Sequence, residues 1–236
     1  GFSAAWIGEG KSVPVSSAVF NQESLPPLKV GTLTVLTDEL LNSSDPAAET
    51  VIRDDMVGAI AEAINASFLN PLNDGETDVE PASITYGAPS VTATGDGLAD
   101  LRLLIDAFEG DLETAVLVGS GRSFAAMHDP VYLPGLGVRG GQALGLPAIA
   151  TKAAGDTVTL LDPAGIAWGA GSTDIRTSSE ATIEMTDEPT QDSTVPTGAQ
   201  QVSLFQTNAT ALLATTAINW KAVRPAVATL EGVPQS

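Results

Sequence analysis

Few side chains in the sequence have the types and spacing needed for covalent or metal chemistry. The chain contains no cysteine, so it has no thiol nucleophile, thiolate metal site or disulfide. Its single histidine, His128, excludes a metal site built from several histidines of one chain. The remaining candidates are serine hydroxyls, carboxylates and one glycine-rich turn.

The glycine-rich turn Gly119–Ser123 lies between a predicted strand at 115–118 and a predicted short helix at 123–127. A turn of this kind before a helix resembles an anion-binding loop. It lacks the Gly-Lys-Ser/Thr ending of a P-loop, the Gly-x-Gly-x-x-Gly spacing and the nucleophile-elbow pattern. The turn therefore favours a helix N-cap, and a hydrolase or nucleotide-binding enzyme centred on it is the weaker alternative.

The pair His128-Asp129 suggests a catalytic triad with Ser120 or Ser123. Triad partners usually come from separate elements, and side chains adjacent in sequence rarely face each other. We therefore predict no catalytic residues at this position.

An acidic, turn-rich stretch at 73–80 contains Asp74, Glu76, Asp78 and Glu80. A calcium loop requires stricter alternation of oxygen ligands and a closing bidentate glutamate, which this stretch lacks. We predict a solvated loop, with no metal and no cofactor.

The composition is that of a folded, acidic protein. Of 236 residues, 43% are hydrophobic and 17% are charged, so wholesale disorder is not expected. The formal net charge of −19 opposes binding to a nucleic-acid backbone, and residues 38–113 hold seventeen acids against Arg53 and Arg102. No apolar run of about 18 residues and no signal-peptide pattern is present, which indicates an intracellular protein with no membrane partner.

The first 37 residues have no helical periodicity. Two β-prone stretches, 4–7 and 28–36, flank a polar middle and predict a long hairpin. An isolated two-stranded hairpin is marginally stable in water, so contacts outside the hairpin must hold it.

The clearest helix is predicted for Pro46 to Ser67, after the potential cap Asp45. Its apolar positions recur every four residues, with Val51 and Ala63 beside them. They are Ile52, Met56, Ile60 and Ile64. This pattern predicts a long spine helix packed against one face of a sheet.

The second half of the chain reads as a mixed α/β unit followed by strands. A helix is predicted over 98–108, and further strands over 148–150, 157–162 and 165–168. Residues 135–147 are predicted to form a mobile loop. The alternating stretch 174–186 is predicted to pair antiparallel with 201–205.

Four segments, in this order, resemble the major capsid proteins of tailed bacteriophages, which have the Hong Kong 97-type capsid fold. They are Trp6-Ile7-Gly8-Glu9-Gly10-Lys11 with Ser16, Phe20, Pro27, Leu28, Lys29 and Leu33; Thr37 to Ser43; Gly141 with Leu144-Gly145-Leu146-Pro147; and Phe205 to Asn208 with Ile218 to Pro225. The resemblance covers nearly the whole chain.

The resemblance implies an α+β fold with three parts. Residues 1–37 would be the E-loop hairpin, with an N-terminal arm absent or truncated. Residues 38–95 and 174–220 would form the P-domain, with its spine helix at about 46–67 on an antiparallel sheet. Residues 96–173 and 221–236 would form the A-domain.

The resemblance also implies a structural function and no enzymatic one. The chain would assemble into pentamers and hexamers of an icosahedral phage or prophage head that encloses DNA without reading its sequence. Its location would be the virion, assembled in the bacterial cytoplasm. Portal, scaffold and maturation protease are the implied partners, and a cellular nanocompartment shell is the alternative within the same fold.

The implied subunit interface lies in the E-loop, at Glu9, Lys11, Val13 and Phe20. Some family members cross-link an E-loop lysine to an asparagine of a neighbouring subunit. Lys11 is the only lysine in the polar middle of this hairpin, and an ordinary exposed lysine is the favoured interpretation.

Overall fold

A computed structural model describes residues 25–39, 46–184 and 201–234. Within these ranges the α-helices named here are α1 (Pro46–Leu69), α2 (Gly97–Ala107), α3 (Gly121–Met127) and α4 (Leu204–Thr207). The strands are β1 (Leu28–Thr37), β2 (Ser90–Thr92), β3 (Val116–Gly119), β4 (Leu136–Gly137), β5 (Gly140–Ala143), β6 (Leu146–Ala150), β7 (Val158–Leu161), β8 (Ile166–Ser178), β9 (Thr182–Glu184), β10 (Gln201–Ser203), β11 (Ala209–Ala222) and β12 (Val227–Glu231).

The larger sheet has seven strands in the order β2-β12-β7-β3-β6-β5-β4. Helices α2 and α3 contribute Leu101, Leu104 and Phe124 to its core, and all three are fully buried. They pack with the apolar strand residues Leu117, Val158, Leu160 and Leu230. Each such side chain contributes about 1.5–3 kcal/mol when it is removed from water, so this core holds the mixed α/β part together.

Helix α2 begins where the sequence provides a cap. The Asp96 carboxylate accepts hydrogen bonds from the backbone N–H groups of Leu98 and Ala99, at 3.0 and 3.2 Å. In the first turn, the buried Asp100 accepts hydrogen bonds from the backbone N–H and the hydroxyl of Thr94, at 2.7 and 2.6 Å. These contacts satisfy N–H groups that a helix leaves unpaired and fix the direction in which the chain enters it.

The smaller sheet has three strands in the order β1-β11-β8, all antiparallel. Strand β1 pairs along its whole length with β11, from Leu28 opposite Ile218 to Thr37 opposite Ala209. Strand β11 is therefore a long-range partner for residues that the sequence analysis assigned to a local hairpin. The other predicted hairpin strand, 4–7, lies outside the described residues.

Helix α1 packs on this three-stranded sheet. Met56 and Ile60 are buried against Leu212 and Ala214 of β11, and Ile52 and Ile64 are half-buried beside them. Val51 and Ala63, which the sequence placed next to the apolar stripe, are exposed. The apolar face of the helix is therefore narrower than predicted.

The two sheets share a second core at the end of α1. Leu69 and Trp220 lie in one cluster with Leu161 of β7 and Val227 of β12. The long strands β8 and β11 continue from this cluster into the three-stranded sheet. The cluster therefore joins the two sheets through buried apolar contacts.

Two predictions for the second half of the chain are wrong. Residues 135–147 are not a mobile loop: they form β4, β5 and the start of β6, connected by tight turns. The predicted strands at 165–168 and 174–186 are largely one continuous strand, β8. The predicted antiparallel pairing with 201–205 is present in part: β9 pairs with β10 over 201–203, whereas residues 204 and 205 belong to α4.

Candidate functional site

The glycine-rich turn Gly119–Ser123 is a helix cap. The Ser120 hydroxyl accepts a hydrogen bond from the Ser123 backbone N–H at 3.1 Å, and the two hydroxyl oxygens are 2.8 Å apart. The Ser123 hydroxyl also donates to the Gly155 carbonyl at 3.4 Å, and both serines are buried. These local bonds stabilise the start of α3, as the sequence predicted.

The His128-Asp129 pair does not form a triad with these serines. The Nδ1 atom of His128 donates to the Leu136 carbonyl at 2.7 Å. The Asp129 carboxylate accepts from the backbone N–H groups of Tyr132 and Val131, and these bonds lower its pKa. Within the described ranges no hydrogen bond joins the histidine to the aspartate or to either serine.

An open cavity of about 550 Å³ lies beside the cap. Its lining is Ser120, Gly121, Arg122, Val138, Ala150, Thr151, Lys152 and Gly155. The lining contains two cations but no carboxylate and no histidine, so it lacks the carboxylate or imidazole that usually serves as acid or base in a hydrolase.

The acidic stretch at 73–80 is organised by its own side chains. The Asn73 amide donates to the Glu80 carboxylate at 2.9 Å and accepts from the Gly75 backbone N–H at 2.9 Å. In the part of the chain that the structure describes, no cluster of three potential metal ligands occurs. The stretch forms a hydrogen-bonded surface loop.

An ion pair with a buried carboxylate, which the sequence analysis missed, connects three separate segments. The carboxylate of Asp162, which is fully buried, accepts from the Thr114 hydroxyl at 2.6 Å and from Arg224 Nη2 at 2.8 Å. It also accepts from the Ala164 backbone N–H at 3.0 Å. The Thr114 hydrogen bond is the main cause that holds the pKa of Asp162 below its ordinary value, and Arg224 acts in the same direction.

Three aromatic rings meet where α1 ends. Trp168 and Trp220 are stacked with centroids 5.7 Å apart, and Phe68 contacts both rings edge-on. The Trp220 indole N–H donates to the Ala82 carbonyl at 2.8 Å, which satisfies it within the core. This cluster fixes the end of the spine helix against both β8 and β11.

The predicted spine residues lie together on one face of α1. Met56 and Ile60 are buried, and Ile52 and Ile64 flank them. Glu9, Lys11, Val13 and Phe20 lie outside the described residues, so their interface role stays a prediction.

Comparison with known proteins identifies the family. The family model described as "Phage capsid family" matches residues 1–230. The chain belongs to this family. It is 33% identical to the capsid polyprotein of Pseudomonas phage PAJU2 over 97% of its own length, and it spans 37% of that polyprotein.

Solved structures agree on the fold of this capsid-family chain. A chain from Gordonia phage Cozz superposes with a TM-score of 0.65 at 18% identity, covering 97% of this chain and 77% of the other. A chain from Mycobacterium phage Adephagia gives 0.63 at 15% identity, covering 98% and 82%. The fold is therefore the α+β Hong Kong 97-type capsid fold. No helix in the described ranges has the length and apolar character that crossing a membrane requires.

Proposed function

We propose that this chain is the shell-forming part of a phage major capsid protein, which assembles into pentamers and hexamers of an icosahedral head around DNA. The observation that carries the proposal is the family match over residues 1–230, supported by the capsid polyprotein relative. The virion is then its location, with portal, scaffold and maturation protease as the partners expected during assembly.

Each proposed domain is centred on one of the two larger sheets. The A-domain is residues 96–173 and 221–236, which contain most of the seven-stranded sheet together with α2 and α3. The P-domain is residues 38–95 and 174–220, which contain α1 and most of β11. The chain passes between these domains three times: just before α2, within β8 and near the end of β11. The shared core around Trp220 supports a rigid connection.

Residues 1–37 are proposed as the E-loop, with Glu9, Lys11, Val13 and Phe20 contacting an adjacent subunit. The support is physical: the polar middle of this segment contains too few apolar side chains for a core of its own. A head-to-tail contact of this type is heterologous, and such contacts close into rings when the rotation permits.

The acidity of the chain suits a container for DNA. With a net charge of −19, the subunit repels the phosphate backbone and does not trap the packaged molecule. A cellular nanocompartment shell, the second candidate, would enclose enzymes instead. Adjoining genes for portal and terminase favour the phage head, and a gene for a cargo enzyme favours the nanocompartment.

The proposal excludes an enzymatic role for the Gly119–Ser123 turn. Its two hydroxyls are engaged in capping α3, and the adjacent cavity lacks a carboxylate or imidazole. Replacing Ser120, Ser123 or His128 by alanine is expected to leave assembly intact while lowering stability modestly.

Sedimentation velocity of the full-length protein tests the proposal. We expect rings or closed shells whose fraction increases with protein concentration. A strict monomer at the highest attainable concentration would contradict the assignment as a shell subunit.

A further inference from the structure

Charge is distributed unevenly across the seven-stranded sheet. Three exposed cations, here called the basic edge, are Arg122 at the start of α3, Arg139 in the turn between β4 and β5, and Lys152 directly after β6. Within the described residues none of the three forms an ion pair. Segment 114–155 contains one acid, Asp129, in a chain of net charge −19.

The basic edge is also concave. Arg122 and Lys152 line the cavity of about 550 Å³, together with Val138, which is 63% exposed. The one acid of the segment, Asp129, is already held by two backbone N–H groups, and Asp156 follows in the loop after Lys152. An opposite charge entering this cavity would meet two cations and an apolar wall.

A complementary surface lies at the other side of the same sheet. Four exposed carboxylates, here called the acidic edge, occupy the end of α2 and the loop before β3: Asp106, Glu109, Asp111 and Glu113. Helix α2 packs on β2 and β12, whereas Arg139 lies between β4 and β5 at the opposite end of the strand order. Glu113 lies just before β3, whereas Arg122 lies just after it and Lys152 follows β6, which is parallel to β3, so these charges lie at opposite ends of the strands.

The cations near the acidic edge do not neutralise it. The Arg224 guanidinium borders the same hollow as Glu109, but it is bonded to the buried Asp162. Arg102, exposed on α2, is the single base of this helix and forms no ion pair within the described residues. Leu112, 43% exposed, adds apolar surface between the carboxylates.

We infer that the basic edge of one subunit binds the acidic edge of the next, and that this contact orients the subunits head to tail within a ring. The inference rests on the proposed function, because ring formation requires heterologous contacts between two different surfaces. An isologous contact would bring like charges together. Each copy carries a net charge of −19, so two copies repel unless opposite charges face each other. Contact between the basic edge of one copy and the acidic edge of the next brings opposite charges together.

Charge reversal on the full-length protein tests the inference. One variant carries Arg122→Glu, Arg139→Glu and Lys152→Glu, and a second carries Glu109→Lys, Asp111→Lys and Glu113→Lys. At about 0.15 M salt each variant alone is expected to need at least about tenfold more protein to form rings in sedimentation velocity. Because all six side chains are exposed, the melting temperature of the unassembled protein should remain close to that of the wild type.

Combining the two sets of substitutions in one chain should restore assembly. The matched control combines the basic-edge reversal with Asp54→Lys, Asp55→Lys and Glu62→Lys on the exposed face of α1. This control has the same net charge as the combined variant but leaves the acidic edge unchanged. It should not restore assembly.

Mixing the two single-edge variants gives a sharper outcome. Alternation of the two chains makes every contact complementary, and only a ring with an even number of subunits can alternate. The mixture should therefore recover hexamers and not pentamers, which native mass spectrometry distinguishes.

Three results would overturn the inference: normal assembly of the basic-edge variant, failure of the combined variant to assemble, or equal restoration by the α1 control. Normal assembly together with weaker capture of a polyphosphate probe would instead mark the cavity as an anion site. If the wild-type protein itself forms no rings, the proposed function fails, and the edges are then not subunit contacts.

Discussion

Ile60 is the position where the spine helix depends most clearly on its sheet. The side chain is 4% exposed and packs with Met56 against Leu212 and Ala214 of β11. Replacing Ile60 by alanine removes three carbon atoms from this contact. Since this side chain is part of the buried contact between α1 and β11, the loss is expected to destabilise the P-domain.

The size of the effect follows from the structure. Three buried carbons are worth about 2.4 kcal/mol at 0.8 kcal/mol each, before any cavity is counted. The cluster contains four buried residues, so it can partly collapse around the gap. We therefore expect the free energy of unfolding to fall by about 2–4 kcal/mol in total. For a domain of this size that corresponds to a fall in melting temperature of roughly 5–15 °C.

Urea denaturation followed by tryptophan fluorescence measures this loss. Trp220 reports on α1 directly, because Phe68 of that helix contacts its ring with centroids 5.3 Å apart. The matched control is Val57→Ala, which lies on the same helix with 42% of Val57 exposed. The control substitution should lower the free energy of unfolding by less than about 1 kcal/mol. Equal losses for the two variants would refute the assignment of a buried face to α1.

Three further predictions concern single residues of the seven-stranded sheet. Asp162→Asn should lower stability at pH 7 by about 1–3 kcal/mol. Because the folded-state pKa of Asp162 lies below its ordinary value of 3.8, the stability due to the carboxylate is present above that value and is lost as the pH falls through the folded pKa. The difference between the two proteins in urea titrations should therefore shrink below about pH 4, and a pH-independent difference would contradict this. Gly140→Ala should destabilise the sheet far more than Gly145→Ala. Both glycines have a φ near +89°, but a Cβ at Gly140 would overlap the Ala148 carbonyl, whereas a Cβ at Gly145 would enter open space. Similar melting temperatures for the two variants would count against the described packing. Leu144→Asn should raise the free energy of unfolding by about 1 kcal/mol, because Leu144 has a φ of +52° in a two-residue hairpin turn that favours Asn-Gly. A lower melting temperature for this variant would contradict the prediction.

The elements with strong local signals were predictable from the sequence. The helix predicted for 46–67 is α1 at Pro46–Leu69, and the helix predicted for 98–108 is α2 at Gly97–Ala107. The cap at the start of α3 was also predictable, because serine is a favoured N-cap residue directly before a helix. Local hydrogen-bonding chemistry is sufficient for such features.

The β5–β6 hairpin and the continuous strand β8 were not predictable in the same way. The hairpin turn is Leu144-Gly145, which lacks the Asn-Gly or Asp-Gly signature, so its residues resemble a loop. Strand β8 contains Gly169 and Gly171, which normally indicate a break. In both cases pairing with neighbouring strands overrides the local preference.

Long-range contacts were beyond local reasoning altogether. Strand β1 pairs with β11, about 180 residues later in the chain, and Asp162 meets Arg224 across 62 residues. No periodicity within either segment specifies these partners. The two charged edges also become visible only in the sheet, where the parallel strands β3 and β6 place Glu113 at one end and Arg122 and Lys152 at the other.

Electron cryomicroscopy of particles assembled from the full-length protein tests whether this chain builds a capsid shell. We expect closed shells built from five- and six-membered rings, in which Glu9, Lys11, Val13 and Phe20 of each subunit contact an adjacent copy. Unassembled single chains, or shells in which these four residues contact only their own chain, would contradict this expectation.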